Sequence, residues 1–276
     1  MFYFKGRNFS FPLGEKTYVM GILNITPDSF FDGGKWNQPD VALRHAIDMQ
    51  SAGADLLDIG AQSTRPGHVS LSAKEELDLV KQFLPNILKH VSVPVSIDTF
   101  YPEVAQYALE QGVAIINDVS GIFSNAMANL VRKYQAGWIL MHSGESDADS
   151  TVSYPQGVTK AVCNFFDEIQ SKCNAMGIQT EQLCFDMGIG FGKSHQDNLT
   201  LIQNIQQLKT ENRALLTALS CKRLVANETK AEGYDRLFGT IAADTLAIAG
   251  GTDFIRVHHV KEAVLAAKMA DALVRR

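Results

Sequence analysis

The sequence predicts an α/β protein, a (β/α)8 (TIM) barrel in a single domain over residues 1–276. Three observations predict it. Eight short apolar runs cross the chain at fairly even spacing, and most gaps between them hold a segment of helical period. Nearly every run ends in a polar or charged residue, and in such a barrel the reacting groups sit at the C-terminal ends of the strands. The runs span residues 18–24, 56–60, 94–98, 114–118, 138–142, 183–186, 215–220 and 254–258. Their ends read Asn24, Asp58, Asp98, Asn117, His142, Asp186, Ser220 with Lys222 just beyond, and Arg256 with His258. Polar residues there point to an enzyme and to where its site lies.

The elements follow in order. The first run, YVMGILN, leads into a loop punctuated by Pro27, Gly33 and Gly34, longer than the roughly two to six residues usual for such a connection. Residues 41–52 have helical period and stop at Gly53. LLDIG leads into a second irregular loop, AQSTRPGHVS, before a charged amphipathic helix over 74–90. SIDT precedes a helix over 102–111 with proline in its first turn. IINDVSG precedes a helix around 125–134, and WILMH a polar stretch, 143–154, expected to be mobile. A long helix over 157–176 ends at Gly177. CFDMGIGFGK is glycine-rich, so its backbone must turn sharply or come close to something. A helix over 197–210, LLTALS, SCKRLVANETK, a helix over 234–249, FIRVHH and a helix over 261–274 complete the set. The rival doubly wound sheet lacks an early GxGxxG turn to support it.

Composition bounds the function. At 276 residues the chain is close to the roughly 250 typical of one barrel. A hydrophobic content of 46% is enough for a large core. The net charge of −5 comes from mixed signs, with no basic stripe for nucleic acid and no Lys/Arg-rich amphipathic helix for a membrane surface. Neither a signal-like apolar stretch nor a run long enough to span a bilayer occurs, which leads us to expect a cytoplasmic protein. Cys163, Cys173, Cys184 and Cys221 have no CxxC spacing and fit reduced thiols.

Polar side chains at inner barrel positions are costly unless they bond something. Asp98, Asn117 and Asp186 end three runs and Lys222 follows a fourth. Two carboxylates, an amide and an ammonium suit a flat, nitrogen-rich heterocycle. The competing explanation is an internal salt bridge, such as Lys222 with Asp186. A second group, Thr64, Arg65, Arg256 and His258, is rich in donors. Barrels often bind phosphate after strands 7 and 8, and arginine grips phosphate oxygens with a fork. Arg65 read alone is equally a solvated loop arginine. Asn24 offers an oxygen for a Mg2+ that keeps most of its waters. His142 reads as a satisfied core or rim histidine, and His259 as facing outward from its neighbour. No HxxxH or carboxylate–histidine cluster argues for a tightly bound transition metal.

The motifs GILNITPDSFFDGG, DIGAQSTRPG, SIDT, INDVSG, FDMGIGFGK, SCK and IRVHH, in this order, resemble the dihydropteroate synthases over about residues 18–274. The resemblance implies condensation of 6-hydroxymethyl-7,8-dihydropterin diphosphate with p-aminobenzoate, releasing pyrophosphate, in folate biosynthesis, with sulfonamides competing for the p-aminobenzoate site. It implies that Asp98, Asn117, Asp186 and Lys222 hold the pterin, with Met141 packed on its ring. It implies that Asn24, Thr64, Arg65, Arg256 and His258 hold the diphosphate, with Asn24 near Mg2+. Lys222, Arg65, Arg256 and His258 then carry the catalysis. Phe191, Ser220 and Lys222 shape the p-aminobenzoate pocket, under a lid made of loops 25–38 and 61–72. A homodimer is also implied.

Five positions depart from the family pattern. Cys221 replaces an arginine before the lysine and Arg223 follows it. Ala218 stands for a glycine, Met187 for a proline and Gln62 for a glutamate. Arg223 either reaches the anionic region in place of the lost arginine or points into water. Two further readings are a pterin-binding methyltransferase module that passes a methyl group to a corrinoid protein, and a pterin-binding paralogue without synthase activity.

Overall fold

The computed structural model describes residues 1–25, 38–62, 71–144, 152–210 and 212–275. A two-stranded antiparallel hairpin opens the chain, β1 (Tyr3–Gly6) and β2 (Phe9–Pro12). Eight parallel strands then close into a barrel in chain order, with the last pairing the first. They are β3 (Tyr18–Asn24), β4 (Leu56–Gly60), β5 (Val95–Asp98), β6 (Ile115–Asp118), β7 (Gly137–Met141), β8 (Leu183–Asp186), β9 (Ala214–Thr217) and β10 (Phe254–Val257). Helices alternate with them: α1 (Pro39–Ser51), α2 (Ala73–His90), α3 (Pro102–Gln111), α4 (Asn125–Tyr134) and α5 (Val158–Ala175). There follow α6 (His195–Gln203), α7 (Ile205–Leu208), α8 (Arg223–Thr229), α9 (Arg236–Ala249) and α10 (Val260–Val274).

Side-chain parity builds two cores. Along each strand, alternate residues point into the barrel or out to the helices. Val19, Leu57, Ile97, Trp138, Phe185 and Ile255 pack outward against the helical layer. Tyr18, Met20, Leu56, Ile115, Ile139, Cys184, Leu216 and Phe254 fill the barrel's lower interior. The hairpin closes that end: Phe4, Phe9 and Phe11 stack on one another and on Tyr18 and Phe254. A Cβ on Gly137 would lie 2.6 Å from the Phe9 ring, so the plug needs that strand to start without a side chain. With the bottom sealed by apolar residues, the polar strand ends lie at the opposite mouth.

Local signals set the helices. Ser72 and Glu75 form a capping box at α2, and Ser194 and Asp197 one at α6. Gly112 ends α3 at φ 106°, the left-handed position that a glycine takes at little cost. The helix expected over 197–210 starts two residues earlier and breaks at Asn204, whose side chain bonds back to Thr200 O at 2.7 Å. The helix expected from 234 begins as a 3₁₀ turn, Gly233–Asp235. The run expected over 215–220 leaves the sheet after Thr217. The hairpin and α8 have no counterpart in the sequence expectation. Most of loops 25–38 and 61–72, and residues 145–151 of the stretch expected to be mobile, lie outside the described residues, so the lid does too.

Candidate active site

The inward-facing residues of the last strand layer form the floor of the mouth. Register places Asn24 beside Gly60, Gly60 beside Asp98 and Asp98 beside Asn117. Met141 pairs with Asp186 further round. Gly60 matters for the gap it leaves: a Cβ there would come within 3.7 Å of both Asn24 Oδ1 and Asp98 Oδ2. One layer below, Asp58 pairs with Ile22 and Ser96 and is completely buried.

Arg256 crosses the barrel to join these residues. Its Nε donates to Asp58 Oδ2 at 2.7 Å and an amino group of its guanidinium to Asp98 Oδ2 at 2.9 Å. Asn117 Nδ2 donates to the same Asp58 oxygen at 2.9 Å. Burial pushes Asp98 up to about 7, against the opposing pull of Arg256. The carboxylates around Arg256 raise its own pKa further despite burial.

Asp186 is 5% exposed and accepts from Gly188 N at 2.8 Å. Burial raises its pKa, and nearby Lys222 opposes the rise. Burial also lowers Lys222, to about 8. The Lys222 ammonium donates to Ile189 O and lies 5.0 Å from the centre of the Phe191 ring. Its backbone caps α8, so the helix start aims the side chain back over the mouth. Ser220 Oγ lies 3.0 Å from His258 Nδ1 and accepts from His258 N at 3.2 Å, joining the ends of β9 and β10.

The glycine-rich loop after β8 is held by Lys193, a residue with no role in the sequence expectation. Lys193 is 8% exposed, and its ammonium donates to His142 O at 3.0 Å, Gly188 O at 2.8 Å and Phe191 O at 3.0 Å. Burial lowers its pKa to about 7. Gly188 sits at φ 67°, and a Cβ there would come 1.9 Å from His142 O. The loop therefore carries Phe191 at a fixed height beside Lys222. His142 is held neutral, its pKa lowered by burial to about 3, and its ring packs on Tyr154 and Phe165. It sits at the rim as expected but is not satisfied there: its Nδ1 is buried with no hydrogen-bond partner among the described residues. His259 is half-buried with its ring edge against Tyr234.

The structure thus brings together Asn24, Asp98, Asn117, Met141, Asp186, Phe191, Ser220, Lys222, Arg256 and His258 at the barrel mouth. Thr64 and Arg65 lie outside the described residues. Asp58 and Lys193 are the additions. Asp58 was visible as a strand-end acid, and its parity with Leu56 and Gly60 on LLDIG marks it as inward-facing and in need of a cation. Of the departures, Gln62 has a local reason: its amide donates to the buried carboxylate of Glu76, beside which a glutamate would repel. Cys221 adopts φ 58°, a left-handed backbone, with its N–H on Thr240 Oγ1 at 3.1 Å. Arg223 is the exposed first residue of α8. Among the described residues no cluster of three His, Cys, Asp or Glu is placed to hold a metal. Asn24 Oδ1 at the mouth is a hard oxygen donor of the kind that suits a mostly hydrated Mg2+.

A chamber floored by two carboxylates and an amide, with an ammonium at its edge, is built to read the donor edge of a flat heterocycle. Residues 20–258 match the family model for pterin binding enzymes. Fold and site therefore define a pterin-binding barrel enzyme. A dihydropteroate synthase from Clostridium beijerinckii is 38% identical over 268 residues, covering 96% of this chain and 97% of that protein. A Yersinia pestis dihydropteroate synthase solved with a sulfonamide drug complex superposes with a TM-score of 0.92 at 34% identity, covering 98% of each chain. A Xanthomonas albilineans dihydropteroate synthase in complex with 7,8-dihydropteroate gives a TM-score of 0.85 at 33% identity, covering 96% of this chain and 95% of that one. The chain belongs to the dihydropteroate synthase family, whose members are transferases.

Proposed function

We propose that the chain joins 6-hydroxymethyl-7,8-dihydropterin diphosphate to p-aminobenzoate and releases pyrophosphate. The observation that carries this reading is the acceptor row Asp98, Asn117 and Asp186 in one chamber, with Lys222 and Arg256 at its edges. The carboxylates accept from the pterin's amino and ring N–H groups, and Lys222 donates to a ring oxygen or nitrogen. Met141 packs on the ring face.

The methylene C–O bond to the diphosphate breaks, a C–N bond to the arylamine forms, and the amine loses a proton to solvent. The electron-rich pterin shares the positive charge that develops on the methylene. Negative charge develops on the departing diphosphate, and Arg256 and His258, with Thr64 and Arg65 of the second loop, are the donors assigned to it. Asn24 supplies one oxygen for Mg2+, which when bound neutralises charge on the diphosphate. An arylamine is a free base at neutral pH, so positioning can replace a strong general base. Phe191 and Lys222 give the p-aminobenzoate ring a wall and a cation.

The assay that tests this supplies the diphosphate, p-aminobenzoate and Mg2+, then follows dihydropteroate and pyrophosphate together. Equal molar amounts of the two products are expected, with none when p-aminobenzoate is omitted. Pterin binding without product would leave the paralogue reading. Product that is unaffected by a sulfonamide would overturn the assigned amine pocket.

The homodimer is assigned to the last two helices. Leu246 on α9 and Leu265, Met269 and Leu273 on α10 are 61–65% exposed, and the two helices pack side by side. A second copy covers that face. Sedimentation of Leu265→Asp/Met269→Asp should show a monomer where the parent shows a dimer. Among the described residues no helix is long and apolar enough to cross a membrane. The four cysteines are all free, which fits the cytoplasm as the proposed compartment.

A further inference from the structure

Asp58 lies beneath the acceptor row, and the chemistry above does not use it. It is completely buried on β4, one interior layer under Gly60, Asp98 and Asn117. Its Oδ2 takes two bonds, from Arg256 Nε at 2.7 Å and from Asn117 Nδ2 at 2.9 Å. Its Oδ1 is buried without a partner among the described residues.

The bond to Asn117 has a consequence for recognition. A carboxylate only accepts hydrogen bonds, so the Asn117 amide must turn its nitrogen down to Asp58. Its oxygen is then left on the side away from Asp58, toward the mouth. An amide turned the other way would place a donor beside Asp98 and would set its oxygen against the buried carboxylate, leaving a charge unpaired. Asp58 thereby converts a residue that is chemically two-faced into an acceptor. It also pins the Arg256 plane, because Nε is fixed on Asp58 while the same guanidinium reaches Asp98.

We propose that Asp58 is a positioning residue that sets the ligand specificity of the mouth, by fixing Asn117 as an acceptor and Arg256 in plane. The chamber then presents acceptors from Asp98, Asn117 and Asp186 alike, and it selects a heterocycle whose facing edge carries N–H donors. A carbonyl in place of the pterin's exocyclic amino group would meet lone pairs. The proposal rests on the reading that these three residues hold the pterin.

The test compares two ligands in equilibrium binding: 6-hydroxymethylpterin, and 6-hydroxymethyllumazine, in which the exocyclic amino group is a carbonyl. The parent protein should prefer the pterin strongly. Asp58→Leu keeps the bulk and removes the acceptor, so Asn117 is free to turn over. The preference should fall by about tenfold or more, the order expected when one buried partner faces the wrong way. Asp58→Asn is the control: Arg256 Nε can only donate, so the new amide keeps its oxygen where Oδ2 was, and that oxygen still accepts from Asn117 Nδ2. It should keep most of the parent's preference. A merely structural carboxylate predicts something else: both ligands weaken together and the ratio holds. An unchanged ratio in Asp58→Leu, or a ratio in Asp58→Asn as low as in Asp58→Leu, overturns the role. If Asp58→Leu does not fold, Asp58→Ala is read in its place. Binding of neither ligand by the parent would overturn the pterin reading itself, and this role with it.

Discussion

Lys222→Met is the perturbation with the sharpest expected outcome. Methionine keeps the length and the apolar stem of the side chain and removes only the ammonium. In the parent that ammonium touches Ile189 O, faces the Phe191 ring at 5.0 Å and stands near Asp186. One charge-assisted hydrogen bond to the substrate is worth about 1.5–3 kcal/mol, which converts to roughly a 10- to 150-fold loss in kcat/KM. Stability should change far less. Removing a partly buried ammonium relieves its desolvation, and Asp186 keeps its bond from Gly188 N at 2.8 Å. The carboxyl's pKa is already raised by burial, so Asp186 can take a proton rather than stay as an unpaired charge. The assay is steady-state pyrophosphate release, with urea unfolding as the control. A kcat/KM within about threefold of the parent, on a protein that unfolds normally, would remove Lys222 from the site.

Three further outcomes follow from the same geometry. Lys193→Met frees three carbonyl oxygens and lets the Phe191 loop drift, so the KM for p-aminobenzoate should rise while pterin affinity, measured by calorimetry, stays close to the parent's. Equal weakening of both substrates would contradict a loop-holding role. Gly188→Ala drives a methyl to 1.9 Å from His142 O at φ 67°, so it should destabilise by at least about 1–2 kcal/mol from the backbone conformation alone, read as a lowered urea midpoint. Asp244, buried on α9, has its pKa raised to about 8 by desolvation. A carboxyl whose folded pKa lies above its unfolded value stabilises fully below the unfolded value and loses that contribution as pH rises toward the folded one. Asp244→Asn should therefore gain stability relative to the parent between pH 4 and 8, by on the order of 1 kcal/mol per pH unit. A difference independent of pH would show that Asp244 stays ionised.

The barrel was legible because its strands advertise themselves twice. Val19, Leu57, Ile97 and Ile255 supply the outward apolar face, and Asn24, Asp98, Asn117 and Asp186 the inward polar ends. Asp98, Asn117 and Asp186 were found by the same signal, because each ends a run, and Lys222 follows one; Met141 and Phe191 came only with the family resemblance. What escaped depended on the closing of the barrel. Arg256 and Asp58 stand 198 residues apart, and only the pairing of β10 with β3 brings them together. Arg256 could therefore be assigned as a phosphate donor without sight of its bonds to Asp58 and Asp98. Lys193 sits in plain view after Gly192, but its three acceptors are backbone carbonyls, which have no residue signature. The hairpin was hidden by its short strands, whose aromatic side chains find partners only at the barrel's lower end. Helix α8 was hidden by the seventh-loop motif it begins in: Lys222 serves both as its cap and as a site residue.

The most direct test of the whole account is a crystal structure of this chain with bound 7,8-dihydropteroate. The expected result is a pterin ring on the barrel floor, its amino and ring N–H groups against Asp98, Asn117 and Asp186, and its aryl group beside Phe191 and Lys222. A pterin seated outside that chamber, or turned so that its carbonyl faces Asp186, would contradict it.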